Sequence, residues 1–158
     1  MDLIVWRHAD AGDAEVDLAA DLERRLSERG RKHAERMARW LRARLPERFT
    51  VLSSPAARAR ETAEALSDKV RIDDRLGPQA DVADYVAALN WPEGPESRSR
   101  YVVLVGHQPT AGGLVSLLLS GQEMPWTIRK GALCWLTTRE REGRQQVVLR
   151  AALAPDLI

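Results

Sequence analysis

YVVLVGHQPTAGGLVSLLLSG, residues 101–121, decides the fold. Its first six residues are a continuous apolar run rich in valine and closed by glycine, which reads as a buried strand. His107 follows at once, and Pro109 then opens a helix through GGLVSLLLSG. A buried strand that passes through a short polar junction into a helix is the building unit of an α/β layer fold with a mostly parallel central sheet flanked by helices.

The same unit recurs upstream. Residues 3–6, LIVW, form a short strand that ends on Arg7 and His8. Residues 49–53, FTVLS, form another, and SPAARARETAEAL then starts a helix with Ser54 as N-cap and Pro55 at the first helical position. Between these strands, from Ser27 to Pro46, Ala34, Met37, Ala38, Leu41 and Leu45 recur at helical spacing. KVRID, near residue 71, predicts a third short strand, and residues 82–89 a helix that stops before Trp91 and Pro92. WPEGPESRSR, residues 91–100, reads as a loop, and ALCWLTTRE and QQVVLRAAL read as two strands joined by REGR in a hairpin. No repeat, low-complexity stretch or linker divides the chain, so residues 1–158 are expected to form a single domain.

Composition narrows the class. With 44% hydrophobic and 30% charged residues, the chain has ordinary globular content rather than that of a disordered one. Its apolar windows fall far short of the roughly 20 residues a membrane helix needs, and no secretory signal is visible, so no membrane partner is expected. The single cysteine, Cys134, permits no internal disulfide and suits a cytoplasmic location. Residues 28–48 are strongly basic, yet no aromatic residues interleave with the arginines for base stacking. A solvated helix face is therefore preferred over nucleic-acid binding.

Ligands in parallel α/β sheets bind beyond the carboxyl ends of the strands. Three strand-to-helix junctions carry unusual polar residues there: Arg7 with His8, Arg58, and His107. Arginine forks match phosphate oxygens, helix N-termini favour anions, and a neutral imidazole is a competent nucleophile at phosphorus. The junctions together describe a phosphoryl site. Cys134 lacks the spacing of a phosphatase loop, since Arg139 follows one residue too soon, and His33 reads as a solvated helical residue. No close histidine pair suggests zinc, and the arginines would repel a cation, so neither metal nor cofactor is expected.

In order, these elements resemble the histidine phosphatase superfamily, the phosphoglycerate mutase-like family. RHADA resembles its Arg-His-Gly signature with Ala9 in place of glycine, LSSPAARARET its Ser-Pro-x-x-Arg-x-x-x-Thr element, and VGHQP its second histidine. The short length and the RRLSERG stretch are most similar to SixA-type phosphohistidine phosphatases. The resemblance implies a three-layer fold, His8 as a nucleophile that becomes phosphorylated, and His107 as a second histidine donating to phosphate. It further implies that Arg7, Arg58 and Arg24 clamp the anion. Arg25 stands where proline is usual.

A general acid has no motif support; Asp81, Asp74 and Asp10 are the candidates. An alkoxide leaving group needs a proton, whereas a phosphoimidazole protonated on its ring leaves as neutral imidazole. The expected substrate is therefore a phosphohistidine-bearing protein, such as a phosphotransfer domain. Phosphate is the expected product and a monomer the expected state. A broad small-molecule phosphomonoesterase and a non-catalytic phosphate- or nucleic-acid-binding module are the alternatives.

Overall fold

The computed structural model describes residues 1–95 and 100–158. Its strands are β1 (Asp2–Arg7), β2 (Thr50–Ser53), β3 (Val70–Ile72), β4 (Tyr101–Gly106), β5 (Leu133–Arg141) and β6 (Arg144–Leu153). Its helices are α1 (Leu18–Glu23), α2 (Glu28–Arg42), α3 (Ala57–Glu64), α4 (Val82–Leu89) and α5 (Thr110–Ser120). One sheet runs in the order β3-β2-β4-β1-β5-β6, parallel through its first four strands and antiparallel at the β5–β6 hairpin. The hairpin turns on Glu142 and Gly143, both at positive φ, 53° and 69°.

Alternation along β1 builds the layers. Leu3 and Val5 pack with Tyr85 and Leu89 of α4 and Leu114 of α5 on one face. Ile4 and Trp6 pack with Met37 and Leu41 of α2 and Ala59 and Ala63 of α3 on the other. Both faces are covered, so the strand reads as unbroken apolar sequence. No described helix is long and apolar enough to cross a membrane.

The expected elements form with shifts that have local causes. In α2, the Ser27 hydroxyl accepts from the Gly30 amide, as a cap should. The helix ends at Arg42 rather than running to Pro46, and turns follow through residues 43–45. Neither Ser54 nor Pro55 holds its expected place in α3, which begins at Ala57 with no side-chain cap. The Ser54 hydroxyl instead accepts from the Ala56 amide and bonds His107, so the chain makes a turn before the helix starts. Pro109 sits at the cap of α5 rather than inside it. Of the loop expected over 91–100, residues 96–99 lie outside the described residues. Helix α1 was not expected; it is capped by Asp17 and buries none of its residues.

Candidate active site

Because β2, β4 and β1 are neighbours in the sheet, their junctions open side by side. Arg7, His8, Arg24, Arg58 and His107 all line one cavity of about 340 Å³, with Asp13, Asp21, Gln108 and Lys130 among the other wall residues.

The His8 amide donates to the Gly106 carbonyl at 3.0 Å, carrying the β1–β4 ladder one residue past the strand. Its Nδ1 lies 2.7 Å from the Ala9 carbonyl. A carbonyl only accepts, so Nδ1 carries the proton and Nε2 keeps its lone pair. Burial lowers the His8 pKa from 6.5 to about 3, and Arg58, Arg7 and Arg24 add to the shift, while the bond to Ala9 opposes it. The imidazole is thus neutral throughout the physiological range.

The two imidazoles face one another, ring centroids 5.1 Å apart. His107 Nε2 lies 2.7 Å from the Ser54 hydroxyl, while Nδ1 is buried without a hydrogen-bond partner among the described residues. Burial first, then His8 and Arg58, lower its pKa to about 2. The His107 amide donates to the Tyr85 hydroxyl at 2.9 Å. Burial raises the Tyr85 pKa to about 12, so that hydroxyl keeps its proton and donates it to the Leu76 carbonyl at 3.3 Å.

The arginines are braced rather than loose. Arg7 Nη1 donates to the Ile128 carbonyl at 2.7 Å, and its buried Nε has no partner among the described residues. Arg58, 3% exposed, donates from Nη1 to the Asp21 carbonyl at 2.7 Å and from Nη2 to Asp21 Oδ2 at 3.0 Å. Arg24 grips the other oxygen, Asp21 Oδ1, at 3.1 Å from Nε and 3.0 Å from Nη2. Its Nη1 reaches the Ala11 and Gly12 carbonyls at 2.9 and 3.1 Å. One carboxylate therefore aligns two guanidinium groups. Burial, the largest single influence on Asp21, opposes its ionisation, but the Glu15 amide, Arg24 and Arg58 outweigh it and hold the pKa low.

The three carboxylates considered as acids lie elsewhere. Asp10 is bound by the Ser27 hydroxyl at 2.7 Å and Lys130 at 3.0 Å and does not line this cavity. Ser27 foremost, with Lys130 and Arg29, lowers its pKa to about 2 against the effect of burial. Asp81 is exposed and closes a capping box with Asp84 at the start of α4. Asp74 lines an adjoining groove. Asp13 does line the cavity, exposed at its mouth. Among the described residues no three His, Cys, Asp or Glu side chains are grouped to hold a metal. Cys134 is half-buried on β5, where burial raises its pKa, and it does not line this cavity.

Residues 3–78 match the branch 1 sequence profile of the histidine phosphatase superfamily. Phosphohistidine phosphatase SixA of Escherichia coli (strain K12) is 34% identical over 134 residues, covering 79% of this chain and 78% of that one. The chain belongs to the histidine phosphatase superfamily. Among solved structures it is similar to a SixA of Nakamurella multipartitia described as a putative phosphohistidine phosphatase, with a TM-score of 0.74 and 28% identity over 98% of this chain and 95% of that one. A protein histidine phosphatase SixA complexed with tungstate gives a TM-score of 0.74 and 28% identity over 99% of both chains.

The departures of this histidine phosphatase from its family's pattern have structural answers. Ala9 is buried and is not at positive φ, so a methyl group there meets no backbone penalty. Its amide donates to Thr62 Oγ1 at 3.0 Å, and that hydroxyl donates to the Arg58 carbonyl at 2.7 Å, tying α3 to the loop after His8. Arg25 is exposed and paired with Glu61, whose second oxygen accepts from the Leu26 amide at 2.8 Å. Asp21, Tyr85 and Lys130 went unmarked in the sequence, because nothing in their spacing announces a partner distant along the chain.

Proposed function

We propose that this histidine phosphatase hydrolyses protein phosphohistidine through a covalent phosphohistidine on His8, with no metal. The observation that carries the proposal is the neutral His8, proton fixed on Nδ1 by Ala9, among Arg7, Arg24 and Arg58. The arginines provide the positive charge that phosphoryl transfer needs on its equatorial oxygens. The tungstate named with the SixA structure is an oxyanion of the same shape as phosphate.

The first transfer is balanced without a proton carrier. His8 Nε2 attacks phosphorus as the bond from phosphorus to the substrate nitrogen breaks. The substrate imidazole, already protonated on its other nitrogen, departs neutral, and His8 becomes a phosphoimidazolium. Water then attacks phosphorus, the bond to Nε2 breaks, and dihydrogen phosphate leaves with both of the water's protons. This scheme needs no general acid, which agrees with Asp10, Asp74 and Asp81 lying off the cavity. An alkyl phosphate does need one, and lacks a factor of roughly 10² to 10⁴ without it. A cytoplasmic monomer acting on phosphotransfer domains is the setting this reading implies.

Rapid quench with a labelled phosphodonor tests the reading. Acid-labile, base-stable label on His8 and kcat/KM falling from phosphohistidine protein and p-nitrophenyl phosphate to alkyl phosphate are expected. Label on Ser54 or Cys134 overturns the nucleophile. An alkyl phosphate that competes shows a working acid, with Asp13 the first residue to replace. Retained phosphate binding with no turnover in the wild type would favour a binding module.

A further inference from the structure

Two further grooves adjoin the catalytic cavity, each sharing a different pair of its wall residues, and their characters differ. The first, about 520 Å³, shares Asp21 and Pro78 with the cavity. Leu18 and Leu22 of α1 form one wall, 60% and 37% exposed, while Asp74 and Asp84 lie along the groove. Arg75, its only lining cation, is held by Asp73 at 2.9 and 2.6 Å, so carboxylates set the sign there. The second groove, about 320 Å³, shares Arg7 and Lys130 with the cavity. Arg29, His33 and Arg129 line it; Asp156 holds Arg129 at 2.9 Å and Asp10, the sole lining carboxylate, lies 3.5 Å from Arg29, so Arg7, Arg29 and Lys130 against one carboxylate leave the groove positive.

We propose that these two grooves are the docking track for the protein that carries the phosphohistidine. An apolar side chain flanked by Lys or Arg sits against Leu18 and Leu22, and a stretch bearing carboxylates lies over Arg29 and Arg129. The inference rests on the phosphohistidine-protein reading above. Its physical basis is continuity with the site and opposed charge. Exposed leucines beside a reaction centre are surface a partner covers, and they stand on a helix that buries none of its own residues. A uniformly charged partner is repelled on one side whichever way it approaches, so the flanks admit one orientation. The phosphate of a small ester reaches the cavity without touching either flank.

The test uses the full chain, a phosphotransfer domain phosphorylated on its histidine, and p-nitrophenyl phosphate. Leu18→Gln with Leu22→Gln is expected to raise KM for the phosphorylated domain about tenfold, the scale of losing one anchor side chain. kcat and all p-nitrophenyl phosphate kinetics should stay unchanged. Arg29→Gln with Arg129→Gln is expected to raise the same KM and flatten its dependence on salt. An unchanged KM in both double variants overturns the docking track and leaves the reaction standing. Equal losses on both substrates also overturn it, because the groove would then belong to a small-molecule pocket. A wild-type enzyme that cleaves p-nitrophenyl phosphate but not the phosphorylated domain overturns the functional reading itself, and the docking track with it.

Discussion

Acidification is the perturbation that most directly reads the buried histidine pair. His8 and His107 are 6% and 3% exposed, and burial with the nearby arginines lowers their pKa values from 6.5 to about 3 and about 2. Above pH 6.5 both are neutral in the folded and unfolded chain, and the difference costs nothing. Below it the unfolded chain takes up two protons that the native state refuses, so stability falls as pH falls. Each group loses about 1.4 kcal/mol per pH unit until its folded pKa is reached. At pH 5.0 that is about 2 kcal/mol for each imidazole and about 4 kcal/mol for the pair. Asp10, lowered from 3.8 to about 2, contributes with the same sign but only below about pH 4. The Met1 ammonium, lowered from 8.0 chiefly by burial, acts with the same sign in any variant, so the histidines are reported by the difference in slope between wild type and variant from pH 6.5 to 5.0. Urea denaturation at pH 7.5 and 5.0 should show the loss in the wild type and most of it absent from the His8→Gln, His107→Gln double variant. The slope with pH is the readout, since the substitutions also change absolute stability. Equal slopes in the two proteins would refute the claim that the native site holds both imidazoles neutral.

Phosphate or tungstate at a hundredfold excess over Kd should stabilise the fold by about 2.7 kcal/mol. Thermal melts should show the shift unchanged by chelator and absent from Arg58→Ala; a shift lost to chelator and restored by zinc would refute the metal-free clamp. Asp21→Asn removes the charge that aligns Arg24 and Arg58, and with Arg58 buried the expected cost is about 3 kcal/mol. Misplaced guanidinium groups should also lower kcat/KM on p-nitrophenyl phosphate by about 10²-fold, more in kcat than in KM. Wild-type kinetics in this variant would show that the carboxylate positions nothing. In Gly106→Ala the new Cβ would stand 2.2 Å from the Tyr85 hydroxyl, so the ring must move and the His107 amide loses its acceptor. A cost of about 1 to 3 kcal/mol, with kcat reduced, is the expected outcome of denaturation and steady-state assays.

What was legible in the sequence follows the range of each interaction. β1, β2 and β4 are covered on both faces, so β1 and β4 appear as unbroken apolar runs and β2 as a short apolar pair between Thr50 and Ser53, and their adjacency brings Arg7, His8, Arg58 and His107 together without further information. Helix α1 buries none of its residues, and its two leucines, Leu18 and Leu22, are exposed, so nothing in its six residues marks a core-facing helix and its acidic residues look like solvated surface. Asp21 within it joins Arg24, three residues on, to Arg58, 37 residues away, and the distant partner is what the spacing does not announce. Ser54 and Pro55 satisfy every local rule for a helix start, yet the Ser54 hydroxyl bonds His107 and the helix waits for Ala57. Local propensity was overruled there by a contact that spans 53 residues. The positions of the candidate acids have a related cause. Ser27 and Lys130 hold Asp10 and lower its pKa to about 2, while the Asp81 carboxylate caps α4 by accepting from the Asp84 amide. Sequence spacing selects the residues able to reach a phosphate, but the bonds that hold them still come from elsewhere in the chain. That division puts His8, Arg58 and His107 in the motifs and the groups that hold Arg58 and His107 outside them, which is why Asp21 and Tyr85 are as informative to substitute as His8.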